Sequence, residues 1–416
     1  MQTIRLHDPN AKETRGVFRQ RLAGLDRVRA GAAMGVVLLH ACVPYLRHPM
    51  PGLVWPVRDA TSGVADWLFW GIEVFIMPVF LVLAGFLLWH SSQRNQPRDL
   101  LRSRAKRLLL PLVFGLLVIL PIDLYVWTLG LVAEGHVAAV KLKSFKFEPP
   151  LSKTIWGTAH LWFLGYVFLY VVCAAIAISA RRRSPRLRNA LDYASAPRSA
   201  LTILALGAVL MICFAPEVVW GFQHAFAPVP TKWCYCGTYF LGGWLLGRWD
   251  PQLLSLQSHT GRLVGIGAVS LIATIPLGIW HLQYGAEDAS LLTLALMTML
   301  SAVTLTLGLI GWATSSARPV SPMVSYLAGA SFWVYLIHHP LLGLLHIDLK
   351  YWLPAVSPLN KVMLSFVVTM IVAVLTYEYI VRRTYLGVWL GFRSAKSHAP
   401  ESSESSPSSV ELPKAA

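Results

Sequence analysis

The chain has 416 residues, of which 55% are hydrophobic and only 13% are charged, and its mean hydropathy is +0.55. Soluble domains carry about twice that charged fraction, so the composition excludes an ordinary water-soluble enzyme and predicts an integral membrane protein. The net charge of +16 fits the cytoplasmic Lys and Arg of membrane proteins. No basic stripe is interleaved with stacking aromatic residues, so nucleic-acid binding is not expected.

Ten apolar segments are long enough to cross a bilayer, and because irregular backbone cannot face lipid they predict an all-α, polytopic bundle of about ten transmembrane helices. The segments lie near residues 30–47, 67–90, 108–129, 158–180, 199–220, 231–247, 263–281, 289–313, 325–345 and 361–381. Three parts follow: a cytoplasmic segment (1–28), a transmembrane domain (29–383), and a Ser- and Pro-rich cytoplasmic tail (384–416) that we expect to be disordered. The five cysteines are expected to be structural.

The distribution of positive charge predicts the orientation. If the N-terminus lies inside, the predicted inner segments carry 27 of the 36 Lys and Arg residues and the outer segments carry nine. Positive residues collect on the cytoplasmic side, so both termini are predicted to be cytoplasmic.

The first helix contains a histidine, His40, within the apolar run "VRAGAAMGVVLLHACVPYL". Arg29 precedes it by eleven residues, about three turns and about 16 Å, so both side chains share one helix face. Asp26 stands one turn before Arg29 and either pairs with it or caps the helix. Arg29 and His40 are either an orientation anchor and a packing residue, or parts of a functional site near mid-bilayer.

Further polar residues follow in the second to fourth segments. Glu73 and Asp123 are acids within the second and third segments, and Arg104 and Arg107 stand one turn apart before the third. Paired guanidinium groups suit phosphate or pyrophosphate, although an orientation signal explains them equally well. In the fourth segment, "TAHLWFLGYVFLY" places His160 beside Trp162, which fits either an interfacial aromatic belt or a substrate site.

The ninth segment contains "ASFWVYLIHHPLLG", in which Tyr335 precedes the adjacent histidines His338 and His339. Adjacent residues point in different directions on a helix, so we expect only one of the two histidines to face His40. In the tenth segment, Glu378 is expected to form an i,i+4 salt bridge with Arg382.

These motifs, in this order, resemble those of the acyltransferase-3 family of membrane proteins. "GLDRVRAGAAMGVVLLHA" resembles the family's Arg-x10-His signature and "RAKR" its Arg-x-x-Arg motif, while "PVFLVLAGFLLW", "HLWFL", "SFWVYLIHHP" and "YEYIVRR" resemble further family segments. The resemblance extends from about Leu22 to Arg383. Ala84 stands where the family usually has serine, so a hydroxyl role at that position is not expected here.

The resemblance implies a function and roles for individual residues. His40 matches the family's essential histidine, Arg29 its paired arginine, and Arg104 and Arg107 the arginines that meet the acyl donor. The implied protein is a multi-pass O-acyltransferase of the bacterial inner membrane that moves a succinyl or acetyl group from acyl-CoA to an extracytoplasmic glycan such as periplasmic glucan. Neither a metal nor a prosthetic group is implied.

Two further interpretations concern the substrates and the class of protein. A succinyl donor would require a cation near the site, for which Lys232 or Arg58 is a candidate if it folds inward. The alternative function is a membrane transporter or flippase for a glycan or glycolipid. That alternative explains polar residues at membrane depth, but it does not require phosphate-binding arginines aligned with a buried histidine.

Overall fold

The computed structural model describes residues 9–316 and 319–390, and within these ranges it is entirely helical apart from turns and loops. The α-helices in chain order are α1 Pro9–Cys42, α2 Gly63–Ser92, α3 Pro97–Phe114, α4 Leu120–Ala133, α5 Lys141–Ser144, α6 Leu151–Thr154, α7 Trp162–Arg183, α8 Pro185–Ala194, α9 Pro197–Phe214, α10 Glu217–Trp220, α11 Pro230–Trp249, α12 Leu254–Ser258, α13 Thr260–Tyr284, α14 Asp288–Ser315, α15 Pro322–Trp352, α16 Pro358–Thr376 and α17 Tyr385–Trp389. Short 3-10 helices cover Val43–Tyr45 and Ala159–Leu161, and π-helical segments cover Gly115–Ile119 and Tyr377–Arg382.

The predicted all-α membrane bundle is confirmed. Eight helical stretches of the described residues are long and apolar enough to cross a membrane, and a ninth is counted if the two helices on either side of a 72° bend, Pro185–Ala194 and Ser199–Phe214, form one span. Each of the ten predicted segments contains a helix, but α11 does not reach the same apolar character because Trp, Tyr and Gly replace much of the Leu and Ile of the other spans.

The central helices are α1, α2, α14 and α15. The apolar windows of α1 and α15 are 67% buried and those of α2 and α14 are 61% buried, whereas those of α13 and α16 are 28% buried. Helix α1 packs against α2, α14, α15 and α16. The two helices that carry His40 and the His338–His339 pair therefore contact each other in the interior of the bundle.

Some boundaries differ from those predicted. Helix α1 begins at Pro9, about twenty residues before the first predicted span, because the intervening Ala, Lys, Glu, Arg and Leu residues favour helix despite their polarity. Asp26 is therefore far inside the helix and does not cap it. The tail predicted to be disordered from residue 384 is helical over Tyr385–Trp389, so the prediction is wrong there, and the rest of the tail lies outside the described residues from 391 onward. The cytoplasmic placement of both termini stays a prediction.

Two glycines allow α2 and α11 to approach closely. A Cβ added at Gly85 would lie 2.0 Å from the carbonyl oxygen of Phe240, and one added at Gly243 would lie 2.0 Å from that of Val82. Small residues at helix contacts let backbones approach in membranes, where packing replaces the hydrophobic drive. The glycine pair therefore sets the spacing of α2 against α11.

We predict that Gly85→Ala or Gly243→Ala destabilises the bundle by about 1–3 kcal/mol, because the added methyl group meets backbone atoms that cannot rotate away. The measurement is the thermal unfolding midpoint of detergent-purified protein. Gly165→Ala is the control, since nothing lies within 4 Å of an added Cβ there. Equal midpoints for Gly85→Ala and Gly165→Ala would contradict this account of the contact.

Candidate active site

Four histidines form a cluster inside the bundle. His40 lies two residues before the end of α1, His338 and His339 lie in α15, and His160 lies in the 3-10 turn before α7. The ring centroid of His40 lies 5.0 Å from that of His338 and 5.3 Å from that of His339. The ring centroid of His160 lies 5.1 Å from that of His338 and 4.6 Å from that of His339. The α15 pair therefore lies between the other two histidines.

This arrangement corrects one expectation. Both His338 and His339 approach His40, and not only one of them, because His40 is placed between the directions in which the two adjacent side chains leave α15. His40 also lies near one end of the span Ala23–Tyr45 and not at its midpoint. By helix rise, about 26 Å separate it from Ala23.

Each clustered imidazole uses one ring nitrogen to donate a hydrogen bond to a fixed oxygen. The bonds are His40 Nδ1 to Val36 O at 2.9 Å, His160 Nε2 to Leu336 O at 3.0 Å, His338 Nδ1 to Tyr335 O at 2.8 Å and His339 Nδ1 to an Asp123 carboxylate oxygen at 2.7 Å. In a neutral imidazole the second nitrogen then carries a lone pair. Three of these second nitrogens are buried without a hydrogen-bond partner: His160 Nδ1, His338 Nε2 and His339 Nε2. The cluster thus presents basic nitrogens to its own interior.

Tyr335 and Trp162, both predicted as substrate-site candidates, have different surroundings. The Tyr335 hydroxyl donates to the carbonyl oxygen of His160 at 2.5 Å, which ties the 3-10 turn to α15. Trp162 is buried, and the Lys232 ammonium lies 3.9 Å from the centroid of its ring. Tyr335 is part of the histidine cluster, whereas Trp162 belongs to a neighbouring group around Lys232.

Lys232 points into the bundle, which is the condition that the sequence-based prediction set for a cation that contacts a succinyl group. It is 5% exposed, and its ammonium donates to the carbonyl oxygen of Gln223 at 2.8 Å. Glu73 is half-buried and interacts electrostatically with Lys232. Glu73 makes no hydrogen bond to His40 in the described part of the chain, so it does not orient that ring. Arg58, the other candidate cation, is exposed.

The predicted Asp26–Arg29 pair forms, with 3.1 Å between Arg29 Nη1 and Asp26 Oδ1. Arg29 Nη2 also donates to Ala328 O at 3.2 Å, which joins α1 to the start of α15. Asp26 does not orient His40, because fourteen residues of helix separate them by about 21 Å. The expected Glu378–Arg382 salt bridge is also present, at 2.8 Å.

Arg104 and Arg107 lie on α3 at the same end of the bundle as Arg29. Arg104 is half-buried and donates from Nη2 to the Ser91 hydroxyl oxygen at 2.9 Å, whereas Arg107 is exposed. Arg104 is thus held at the end of α2 while Arg107 is free to reach outward. The structure brings neither into contact with the histidines, which lie towards the other end of α1.

Several residues of the site were not predicted as its members. Trp127 stacks on His339 with a centroid distance of 4.5 Å, and Trp55 donates from Nε1 to His346 Nδ1 at 2.9 Å. His346 lies seven residues after His339, a two-turn spacing that places both on one helix face and that the sequence does display. Asp123 was visible as an intramembrane acid, but nothing in the sequence identified His339 as its partner.

Asp123, His160 and His339 together have the composition of a possible metal site. Ligand atoms of Asp123, His160 and His339 all lie within 4.8 Å of one another, and all three residues are buried. Both Asp123 oxygens already lie within hydrogen-bonding distance of His339 Nδ1, at 2.9 and 2.7 Å. A proton held between Asp123 and His339 therefore satisfies the pair without a cation, and the absence of a metal requirement stays a prediction.

Comparison with known proteins identifies the family of this chain. A family profile described as an acyltransferase domain, of the acyltransferase-3 type, matches residues 22–378. The chain is 26% identical over 333 residues to proteins named glucans biosynthesis protein C from Salmonella agona and Salmonella enteritidis PT4, which covers 76% of this chain and 81% of each relative. No solved structure gives a significant match. The profile covers nearly the whole membrane bundle, and the chain therefore belongs to the acyltransferase-3 family.

Proposed function

We propose that the chain is an O-acyltransferase that moves a succinyl or acetyl group from cytoplasmic acyl-CoA to a hydroxyl group of an extracytoplasmic glycan, such as periplasmic glucan. Membership of the acyltransferase-3 family supports the reaction class, and the relatives named for glucan biosynthesis support the acceptor. The observation that carries the proposal is the interior cluster formed by His40, His160, His338 and His339. We place the protein in the bacterial inner membrane with both termini in the cytoplasm.

The donor enters from the end of the bundle that carries the arginines. Arg104 and Arg107 bind the CoA phosphates, because guanidinium groups form paired, charge-assisted hydrogen bonds with phosphate oxygens. Arg29, half-exposed at the same end of α1, orients the pantetheine arm. The arm then carries the thioester along α1 towards His40, about 16 Å further along the helix axis.

His40 acts as the general base. Its Nδ1–H is committed to Val36 O, so Nε2 carries the lone pair that accepts a proton from the acceptor hydroxyl group. The hydroxyl oxygen forms a bond to the thioester carbonyl carbon, and the carbon–sulfur bond breaks. The proton passes from His40 to the departing sulfur, so the products are an ester and free CoA thiol. Transient acylation of His40 is the alternative route to the same products.

A transporter or flippase does not require this set of residues. A transporter would move a glycan without breaking an acyl–sulfur bond. Its function does not require an imidazole whose tautomer is fixed by a hydrogen bond. Transfer of labelled acyl groups from acyl-CoA to a glycan by purified protein separates the two functions. Mass spectrometry of the glycan product identifies the acyl group.

We predict that His40→Ala lowers acyl transfer by about 10²–10⁴-fold, the usual contribution of a positioned general base. Transfer is measured with labelled acyl-CoA and purified protein. His90→Ala is the matched control, because His90 Nδ1 also bonds the carbonyl four residues earlier, at 3.1 Å, outside the cluster. Retained activity in a folded His40→Ala variant would remove His40 from the mechanism.

We predict that the double variant Arg104→Ala with Arg107→Ala raises the acyl-CoA KM at least tenfold while the glycan KM stays unchanged, because only the phosphate contacts are lost. The control is Arg98→Ala with Arg102→Ala, which removes equal charge from exposed positions of the same helix. If both double variants change the acyl-CoA KM equally, Arg104 and Arg107 contribute only general positive charge.

We predict that treatment with EDTA leaves the transfer rate unchanged, because the Asp123 carboxylate is satisfied by His339 and needs no cation. Activity and metal content are measured before and after dialysis. Protein dialysed against calcium-saturated EDTA is the control for handling losses. Activity that falls with EDTA and returns with added Zn²⁺ would show that Asp123, His160 and His339 hold a metal.

A further inference from the structure

A cleft opens at the end of the bundle opposite Arg29 and Arg104. Its cavity volume is about 40 Å³ and it is continuous with open solvent, and its walls come from the loop after α1, from α4, and from the loops before α7 and α11. Its floor contains the side chains of Asp123 and His339. The cleft therefore reaches the histidine cluster from the side that does not carry the arginines.

The Asp123–His339 pair is the polar part of this floor. Asp123 accepts the His339 Nδ1–H at 2.7 Å, which fixes the tautomer and leaves a lone pair on Nε2. His339 is 3% exposed and its Nε2 is buried without a hydrogen-bond partner. A buried acceptor without a partner is costly, so this nitrogen is suited to accept a hydrogen bond from a bound molecule.

The walls of the cleft are aromatic. Trp127 stacks on the His339 ring, and Trp156, which is 45% exposed, lies near the opening together with Phe222. A mainly apolar and aromatic lining with a few fixed polar groups is the usual composition of a small-molecule site. Aromatic faces suit the C–H face of a sugar ring, while the hydroxyl groups at its edge require hydrogen-bond partners.

The loops around the cleft are joined to each other. His224 donates from Nε2 to Thr154 O at 2.9 Å, and the Thr158 N–H donates to His224 O at 2.7 Å. A Cβ at Gly157 would lie 2.3 Å from His224 Nδ1, so glycine permits this close approach. Burial lowers the pKa of His224, which keeps the ring neutral near pH 7. The wall is thus fixed before any ligand binds and carries no positive charge at His224.

We propose that this cleft is the acceptor-sugar site, that His339 Nε2 accepts a hydrogen bond from a sugar hydroxyl group, and that Asp123 is the positioning residue that holds His339 in this tautomer. This inference rests on the proposed transferase function and adds the place where its acceptor binds. With the His339 ring 5.3 Å from that of His40, a sugar held at His339 presents a hydroxyl group to the general base.

The test measures separate KM values for acyl-CoA and for a soluble glucan oligosaccharide with purified protein. Trp156→Ala is expected to raise the oligosaccharide KM about tenfold and to leave the acyl-CoA KM unchanged. Trp280→Ala is the matched control, since Trp280 is 44% exposed and does not line the cleft. Equal effects of the two tryptophan variants on the oligosaccharide KM would overturn the proposal.

Asp123→Asn tests the positioning role. An amide can donate to Nδ1 and place the proton on Nε2, so the oligosaccharide KM is expected to rise at least tenfold with the acyl-CoA KM unchanged. Asp123→Glu, which keeps the carboxylate, is expected to recover part of this loss, whereas a purely structural role would alter both KM values together. Unchanged oligosaccharide KM in Asp123→Asn would overturn the assignment.

Direct binding distinguishes failure of this inference from failure of the proposed function. Quenching of tryptophan fluorescence by the oligosaccharide is measured in the wild type, Trp156→Ala and Trp280→Ala. If the wild type transfers no acyl group but quenching is lost only in Trp156→Ala, the cleft binds sugar and the transferase proposal fails. If transfer occurs but quenching is the same in all three proteins, the sugar binds elsewhere and the present inference fails.

Discussion

The structure depends on how polar side chains are satisfied within an apolar bundle. An imidazole or a carboxylate in such a place is costly unless it is hydrogen-bonded. The contact of Asp123 with His339 solves this for both groups, and it ties α4 to the centre of α15. The other clustered histidines use backbone carbonyls of the helices that carry or contact them. Each solution uses one ring nitrogen and leaves the other available for chemistry.

Helix packing determines how these side chains are grouped. Helix α1 is central and contacts α2, α14, α15 and α16, and the half-buried His40 ring lies against those of Trp55, His338 and His339. The close glycine contacts set the spacing of α2 against α11. The two ends of the bundle differ, since one carries Arg29 and Arg104 and the other carries the aromatic cleft that reaches His339. This division suits a reaction whose donor and acceptor come from opposite sides of a membrane.

The ion pairs at the two ends of the bundle differ in how exposed their side chains are. Near the cleft, Lys361 is 1% exposed and contacts Asp59 at 2.6 Å, and Lys350 contacts Glu134 at 2.5 Å. At the other end, Arg29, Arg382 and Arg383 remain partly exposed while paired. Breaking a buried pair leaves an uncompensated charge and is strongly destabilising. The pairs near the cleft are therefore costly to break, whereas the arginines at the other end stay accessible to solvent.

The sequence by itself determined the class of fold and the family and predicted most of the candidate site residues, because apolar length, motif order and intramembrane polarity are local properties. It identified His40, His160, His338 and His339, and it expected one of the α15 pair to face His40. It could not pair Asp123 with His339, which are 216 residues apart, or show that Glu73 lies with Lys232 and not with His40. It also could not show that both α15 histidines face His40. Those relations depend on the rotation and spacing of packed helices, which only the tertiary structure decides.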